Sequence, residues 1–268
     1  MIYGKYFVID SHCHIYPEKI AAKAVAGTDA FYGVTSVMGG TTAELKEVHE
    51  KVGIDRFIVE SVATTPKQVP SINRFIAEET ANSCGLFIGV GTLHPESEDI
   101  AGDIENLISL GLKGVKLHPD IQRFKIDDYR CLKIYEICEK KGLPILMHTG
   151  DNRYDYSNPN RLKPILEIYK GLTVIGAHFG GYSIWNEAAD KLHGIENFYV
   201  DCSSSFFNFS DAEIVALIRE YGAERVLFGT DFPMWSPKAE LERFMALPLD
   251  ERERNLILSE NAKRIYGI

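Results

Sequence analysis

Short apolar runs recur along this chain, each closed by a polar residue, and the closing residues keep a nearly constant interval. His118 to His148 is 30 residues, His148 to His178 is 30, and Asp201 to Asp231 is 30. The runs are Tyr6–His14, Arg56–Val62, Gly85–His94, Gly114–His118, Pro144–Thr149, Thr173–Phe179, Asn197–Cys202 and Arg225–Asp231. Near-continuous apolar stretches such as Leu86-Phe87-Ile88-Gly89-Val90 fit parallel strands whose outer faces are covered by helices. Thirty residues is the room needed for one strand, one helix and two turns.

The intervening segments carry helical signals. Ile100–Leu110 has apolar residues at Ile100, Ile104, Leu107, Ile108 and Leu110 and stops at Gly111. Tyr129–Lys140 stops at Gly142 and Pro144. Asp211–Tyr221 follows Ser210, with Glu213 placed for a capping box. Thr42–Val52, Ser71–Asn82, Asn160–Tyr169, Ser183–Leu192 and Pro237–Ala246 complete the set, and a last helix from about Asp250 to Tyr266 breaks near Ser259. Strands and helices alternating in a chain of 268 residues predict an α/β fold, a closed (β/α)8 TIM barrel, as a single domain over residues 1–268. The segment 15–42, rich in glycine (Gly27, Gly33, Gly39, Gly40), reads as a lid or insertion loop.

Charge and cysteine content remove several classes of function. With 29 Lys+Arg against 38 Asp+Glu the net charge is −9, which offers no basic face to nucleic acid or to an anionic membrane. No apolar stretch reaches the length of a membrane span, and Met1–Asp10 lacks the layout of a secretory leader. Five cysteines without a CxxC pair read as reduced thiols, so a cytoplasmic location is expected. A homodimer is the default assembly.

Chemistry concentrates at the strand ends. His49 and His193 fall on helices, but His12, His14, His94, His118, His148 and His178 stand at the carboxyl ends of predicted strands, and Asp231 ends the eighth. In a parallel barrel those ends share one mouth. The strand period of two puts His12 and His14 on one face and Cys13 on the other, so both imidazoles can chelate one ion. His148 and Asp231 can complete a shell of three nitrogens and one oxygen, which suits zinc and leaves manganese, iron and cobalt open. Each histidine alone reads as polar trim; the set reads as a metal site.

The motifs Val8-Ile9-Asp10-Ser11-His12-Cys13-His14, Gly114-Val115-Lys116-Leu117-His118-Pro119, Met147-His148-Thr149-Gly150, Ala177-His178-Phe179-Gly180-Gly181 and Gly229-Thr230-Asp231-Phe232-Pro233 together resemble the amidohydrolase superfamily, and within it the amidohydrolase-2 family of decarboxylase-like, metal-dependent TIM-barrel hydrolases. Asn261–Tyr266 resembles that family's closing helix. The resemblance implies one divalent metal, usually zinc, on His12, His14, His148 and Asp231, with His178 as proton shuttle or substrate polariser. It implies hydrolysis of an amide, lactone or ester in a small polar substrate by a metal-activated water, with Asp231 taking and returning the proton. The alternative within enzymes is non-oxidative decarboxylation of a small unsaturated or aromatic carboxylic acid. The alternative outside them is a ligand-binding barrel without turnover, which would not need His178 beside a full ligand set.

Other residues carry expectations of their own. Lys116 is either a carbamate bridge between two metals, as in binuclear members of the superfamily, or a substrate-carboxylate contact sharing its face with His118. Arg153, in the loop after His148, is expected to touch substrate, as are Trp185 and Trp235. Asp10 reads equally as a partner for a ligand imidazole or as a buried hydrogen bond, Asp201 as a cap of its rim loop, and His94 as the shaper of its turn. Cys131 and Cys138, seven apart, pack on one helix face.

Overall fold

Each apolar run forms a strand, and the strands pair in parallel around a closed barrel. The computed structural model describes residues 5–268, so the first four residues of Met1–Asp10 and of the span 1–268 lie outside the described residues. The strands are β1 (Ile9–His14), β2 (Arg56–Glu60), β3 (Phe87–Gly89), β4 (Gly91–Thr92), β5 (Val115–Leu117), β6 (Ile145–Met147), β7 (Val174–Gly176), β8 (Phe198–Asp201) and β9 (Val226–Leu227). Their order is sequential, β1-β2-β3 and then β4 through β9. β3 and β4 are two halves of one stave interrupted at Val90, whose N–H still donates to the Val59 carbonyl at 2.9 Å. The ring closes where Cys13 bridges Phe232 in parallel and where the Ser11 and His14 amides donate to the Phe228 and Phe232 carbonyls at 2.9 and 2.7 Å. The fold is a TIM barrel.

The core divides into two sets of side chains, as the alternation of a strand between two faces requires. Ile9, Ile58, Ile88, Leu146, Ile175 and Leu227 cluster inside the barrel, and Tyr266 and Ala262 join them. Phe57, Val59, Phe87, Val115, Ile145, Met147 and Val174 belong to the larger cluster shared with the helices. β1 needs a correction to strict alternation: Ile9 belongs to the interior cluster, and so by parity His12 should turn outward. Pairing with β2 shifts register between Asp10 and Cys13, and this irregularity brings His12 to the mouth as well.

Helices wrap the staves: α1 (Glu18–Tyr32), α2 (Thr42–Val52), α3 (Val69–Ala81), α4 (Ile100–Ser109), α5 (Pro119–Gln122), α6 (Tyr129–Lys141), α7 (Pro159–Ile168), α8 (Trp185–Leu192), α9 (Asp211–Tyr221) and α10 (Pro237–Ala246). Cys131 and Cys138 are buried on α6, as their spacing predicted. The expected loop 15–42 is in large part a helix. α1 starts after Pro17, carries Glu18 in its first turn and ends at Gly33, whose φ of 69° supplies the left-handed cap. Only Ala21 of α1 is buried, so this helix lies over the barrel mouth and not in the core. None of the helices among the described residues is long and apolar enough to cross a membrane.

The C-terminal segment runs through α11 (Glu251–Asn255), a π-helical turn over Leu256–Glu260 and α12 (Asn261–Tyr266). The break expected near Ser259 is that π turn. Buried Asn261 pins it to the barrel, donating from Nδ2 to the carbonyls of Ala223 and Val226, each at 2.7 Å. Asn261→Ala strands both carbonyls and should destabilise the fold by about 1–3 kcal/mol. Chemical denaturation reads this directly, and an unchanged midpoint would remove Asn261 from the anchoring role.

Candidate metal centre

The mouth of the barrel gathers side chains from strands at opposite ends of the chain. His12 Nδ1 lies 2.9 Å from Asp201 Oδ2. A carboxylate only accepts at this distance, so Nδ1 carries a proton, and Lys116 Nζ, 2.8 Å from Nε2, can only donate to a lone pair there. His12 Nε2 lies 3.2 Å from His14 Nε2, and Asp231 Oδ1 lies 3.4 Å from the first and 3.5 Å from the second. Ligand bonds of about 2.0–2.1 Å in a tetrahedral shell put neighbouring ligand atoms about 3.3 Å apart. The triangle already has that edge length, so the three atoms can take up a divalent ion with little movement.

Lys116 shows what that positive group would satisfy. Its side chain is 1% exposed, and its Nζ lies 2.8 Å from His12 Nε2 and 3.6 Å from Glu60 Oε1. The ammonium fills the role of a cation against the His12 lone pair. Glu60 is fully buried, and neither carboxylate oxygen has a hydrogen-bond partner. Burial, partly offset by Lys116 and His12, pushes its carboxyl up to about 7. Burial holds His14 and His148 well below the usual imidazole range, Lys116 adding to both, so both offer neutral nitrogens at neutral pH. These donors fit a divalent ion.

Asp231 is positioned from behind. Ser204 Oγ donates to its Oδ2 at 2.5 Å, and Trp235 Nε1 donates to Ser204 Oγ at 2.8 Å. Burial opposes the Asp231 charge, but His12 and His178 outweigh it and hold the carboxyl below its ordinary value. His178 lies 3.1 Å through Nδ1 from the Ser203 carbonyl, which can only accept, so its Nε2 is the unprotonated nitrogen. Burial lowers His178 to about 4, against the pull of Asp231. His178, Ser204 and Asp231 all have left-handed backbone, with φ of 60°, 46° and 60°. Strain of this kind, at non-glycine residues, gathers where side-chain aim matters more than backbone comfort.

His148 stands apart from the triangle. Its Nδ1 lies 3.2 Å from His178 Nε2 and its Nε2 3.6 Å from Asp120 Oδ2, and its ring stacks on His118 at 4.0 Å. The convergent groups among the described residues are His12–His14–Asp231, His12–His178–Asp201 and His118–Asp120–His148. Stacking on His118 and the contact with His178 account for this placement of the ring.

Several expectations change here. Arg153 does not line the cavity: its guanidinium holds Asp151 through two bonds of 2.9 and 2.7 Å and stands 4.8 Å over the Phe31 ring, latching the end of α1. Trp235 acts through Ser204 as described, and Trp185 is buried against Tyr182 and Phe209. Asp10 accepts from the Thr230 amide and hydroxyl at 2.9 and 2.6 Å, tying β1 to the last stave instead of touching an imidazole. His94 shapes its turn by accepting from the Glu96 amide at 3.2 Å. Asp201 is not merely a loop cap. Its His12 bond fixes a tautomer, so Asp201→Asn should weaken metal affinity about 10- to 100-fold. Competition against a chromogenic chelator measures this, and an undiminished affinity would assign Asp201 to loop structure alone.

Sequence reasoning passed over Glu60, Tyr32 and the serines that follow β8. Glu60 had a visible signal, a carboxylate in an apolar run at the same strand end as the histidines. Tyr32 did not: its hydroxyl reaches His118 Nε2 at 2.7 Å only because α1 is a helix.

Comparison with known proteins follows the same outline. The family described as amidohydrolase matches residues 9–268. No match is found among curated proteins. Among solved structures, an uncharacterized TIM-barrel protein from Bordetella bronchiseptica shares 22% identity at a TM-score of 0.82, covering 97% of this chain and 98% of that one. A 5-carboxyvanillate decarboxylase from Sphingomonas paucimobilis shares 17% identity at 0.75, covering 98% and 100%. A dihydroxybenzoic acid decarboxylase from Polaromonas, with bound manganese and the inhibitor 2-nitroresorcinol, shares 18% at 0.74, covering 98% and 97%.

Proposed function

The chain belongs to the amidohydrolase family, and from that premise we propose that it is a divalent-metal-dependent hydrolase acting on an amide, lactone or ester carbonyl of a small substrate. The observation that carries this reading is the triangle of His12 Nε2, His14 Nε2 and Asp231 Oδ1, with edges of 3.2–3.5 Å, opening into a cavity beside unprotonated His178. His12, His14 and Asp231 hold the ion, with His148 as the proposed fourth ligand. Zinc suits the imidazole-rich donor set, and the manganese bound by the Polaromonas decarboxylase keeps that ion as an alternative. When bound, such an ion supplies Lewis acidity, making hydroxide available near neutral pH or polarising a carbonyl.

The protein's own groups do the rest. Asp231 Oδ2, aimed by Ser204, accepts the proton of the attacking water and later returns it to the leaving group. His178 Nε2 accepts a hydrogen bond from that water and orients it, while Nδ1 stays anchored on Ser203. Tyr32 on α1 shields the histidine side of the site from solvent.

A second reading, decarboxylation of an unsaturated or aromatic acid, draws on the apolar wall of the same cavity, including Val62, Ile72 and Phe75. The readings separate by product. Turnover of a panel of lactones, esters, amides and aromatic acids in H2 18O should place the label in the product acid. Release of CO2 without label incorporation would replace hydrolysis by decarboxylation.

A further inference from the structure

The cavity is larger than the metal site needs, and its outer part has a chemistry of its own. Its volume is about 1010 Å3, at the upper end of what encloses drug-sized ligands. The outer part is the cleft between α1 and α3. On α1, Lys19, Ile20, Lys23 and Ala24 recur at helical spacing and line it, facing Ile72 and Phe75 of α3. Ile20 is 44% exposed, and α1 buries no residue but Ala21; apart from Phe31 and Tyr32 at its end, which pack on Tyr154 and His118, the apolar stripe of this helix meets the cavity. A 15-residue helix in this sequence gains most of its stability from a packed face. Something apolar in the cleft would supply that packing.

Burial sorts the charges. Among the described residues the carboxylates lining the cavity are Asp120 and Asp231, both buried beside the histidines, where buried Lys116 also stands. Lys19, Lys23 and Arg123 line it as well, are exposed, and form no ion pair among the described residues. In a chain of net charge −9, three uncompensated cations turned into one cleft run against the overall balance. A low-dielectric cleft lined by one sign of charge concentrates the opposite sign.

We propose that the substrate is a two-ended amphiphile, with its reacting carbonyl at the histidine end, an apolar spine between α1 and α3, and a remote carboxylate or phosphate held by Lys19, Lys23 and Arg123. This rests on the hydrolase reading only for which end reacts. Calorimetric titration of the metal-loaded protein tests it with three probes: sebacate, which has spine and two charges; decanoate, with the spine and one; and succinate, with two charges and no spine. Sebacate should bind at least tenfold tighter than either. The variant K19E/K23E/R123E should lose at least tenfold in sebacate affinity, and K19Q/K23Q/R123Q an intermediate amount, with melting temperature and metal content at wild-type values to show intact folding. Sebacate binding no better than decanoate, or a charge-reversed variant that binds it undiminished, overturns the proposal. Absence of label from H2 18O with sebacate selectivity intact would instead sink hydrolysis and leave this cleft assignment standing.

Discussion

Asp231→Asn should lower kcat/KM by about 10³- to 10⁴-fold and strip most of the bound metal. The proposal gives the residue two jobs with two oxygens. In the proposed mechanism Oδ1, 3.4 and 3.5 Å from the His12 and His14 nitrogens, closes the ligand triangle, and Oδ2, held at 2.5 Å by Ser204, accepts the proton. An amide keeps the shape and the left-handed backbone, which asparagine tolerates well at the φ of 60° found here. It cannot carry the negative charge, and its nitrogen has no lone pair to offer. Because both roles fail together, the loss should not be recovered by raising metal concentration alone. Near-wild-type turnover at full metal content would remove Asp231 from both roles.

His178→Asn separates proton handling from metal binding. The substitution again suits the positive φ, and the amide can still reach toward Ser203. Metal content should stay near one ion per chain, because the proposed ligands are His12, His14, Asp231 and His148, and His178 is not among them. The rate kcat should fall by about 10²- to 10⁴-fold, the usual worth of a positioned acid–base group. KM should move much less, since the loss is of an interaction made in the transition state. A kcat unchanged by this variant would mean that His178 only lines the cavity.

The barrel was legible because its physics is periodic. Parallel staves buried on both faces read as continuous apolar runs, and the strand-plus-helix unit fixes the pitch that separates His118, His148 and His178. Ends of parallel staves meet, so His12, His14 and Asp231 could be brought together on paper from opposite termini. What failed was aperiodic. α1 was hidden because the glycines of 15–42 suggested a loop, although Gly27 sits within the helix and Gly33 ends it. Asp201 was underrated because its partner His12 is 189 residues away, and no local spacing announces such a bond. Arg153 was placed in the substrate site by its nearness to His148 in sequence, yet Asp151 two residues before it captures the guanidinium first. Glu60 went unread although it stands at the same strand end as the histidines, because a lone carboxylate there does not announce its burial. Its burial without a hydrogen-bond partner is visible only in three dimensions.

His12, His14 and Asp231 are the proposed cation cradle on which the whole mechanism rests. Elemental analysis of chelator-stripped protein, reloaded with zinc or manganese and dialysed, tests it most directly when run beside the double variant H12A/H14A. The account predicts about one tightly held ion per wild-type chain and essentially none in the variant. Wild-type protein that retains no ion, or a variant that retains as much as wild type, would contradict it.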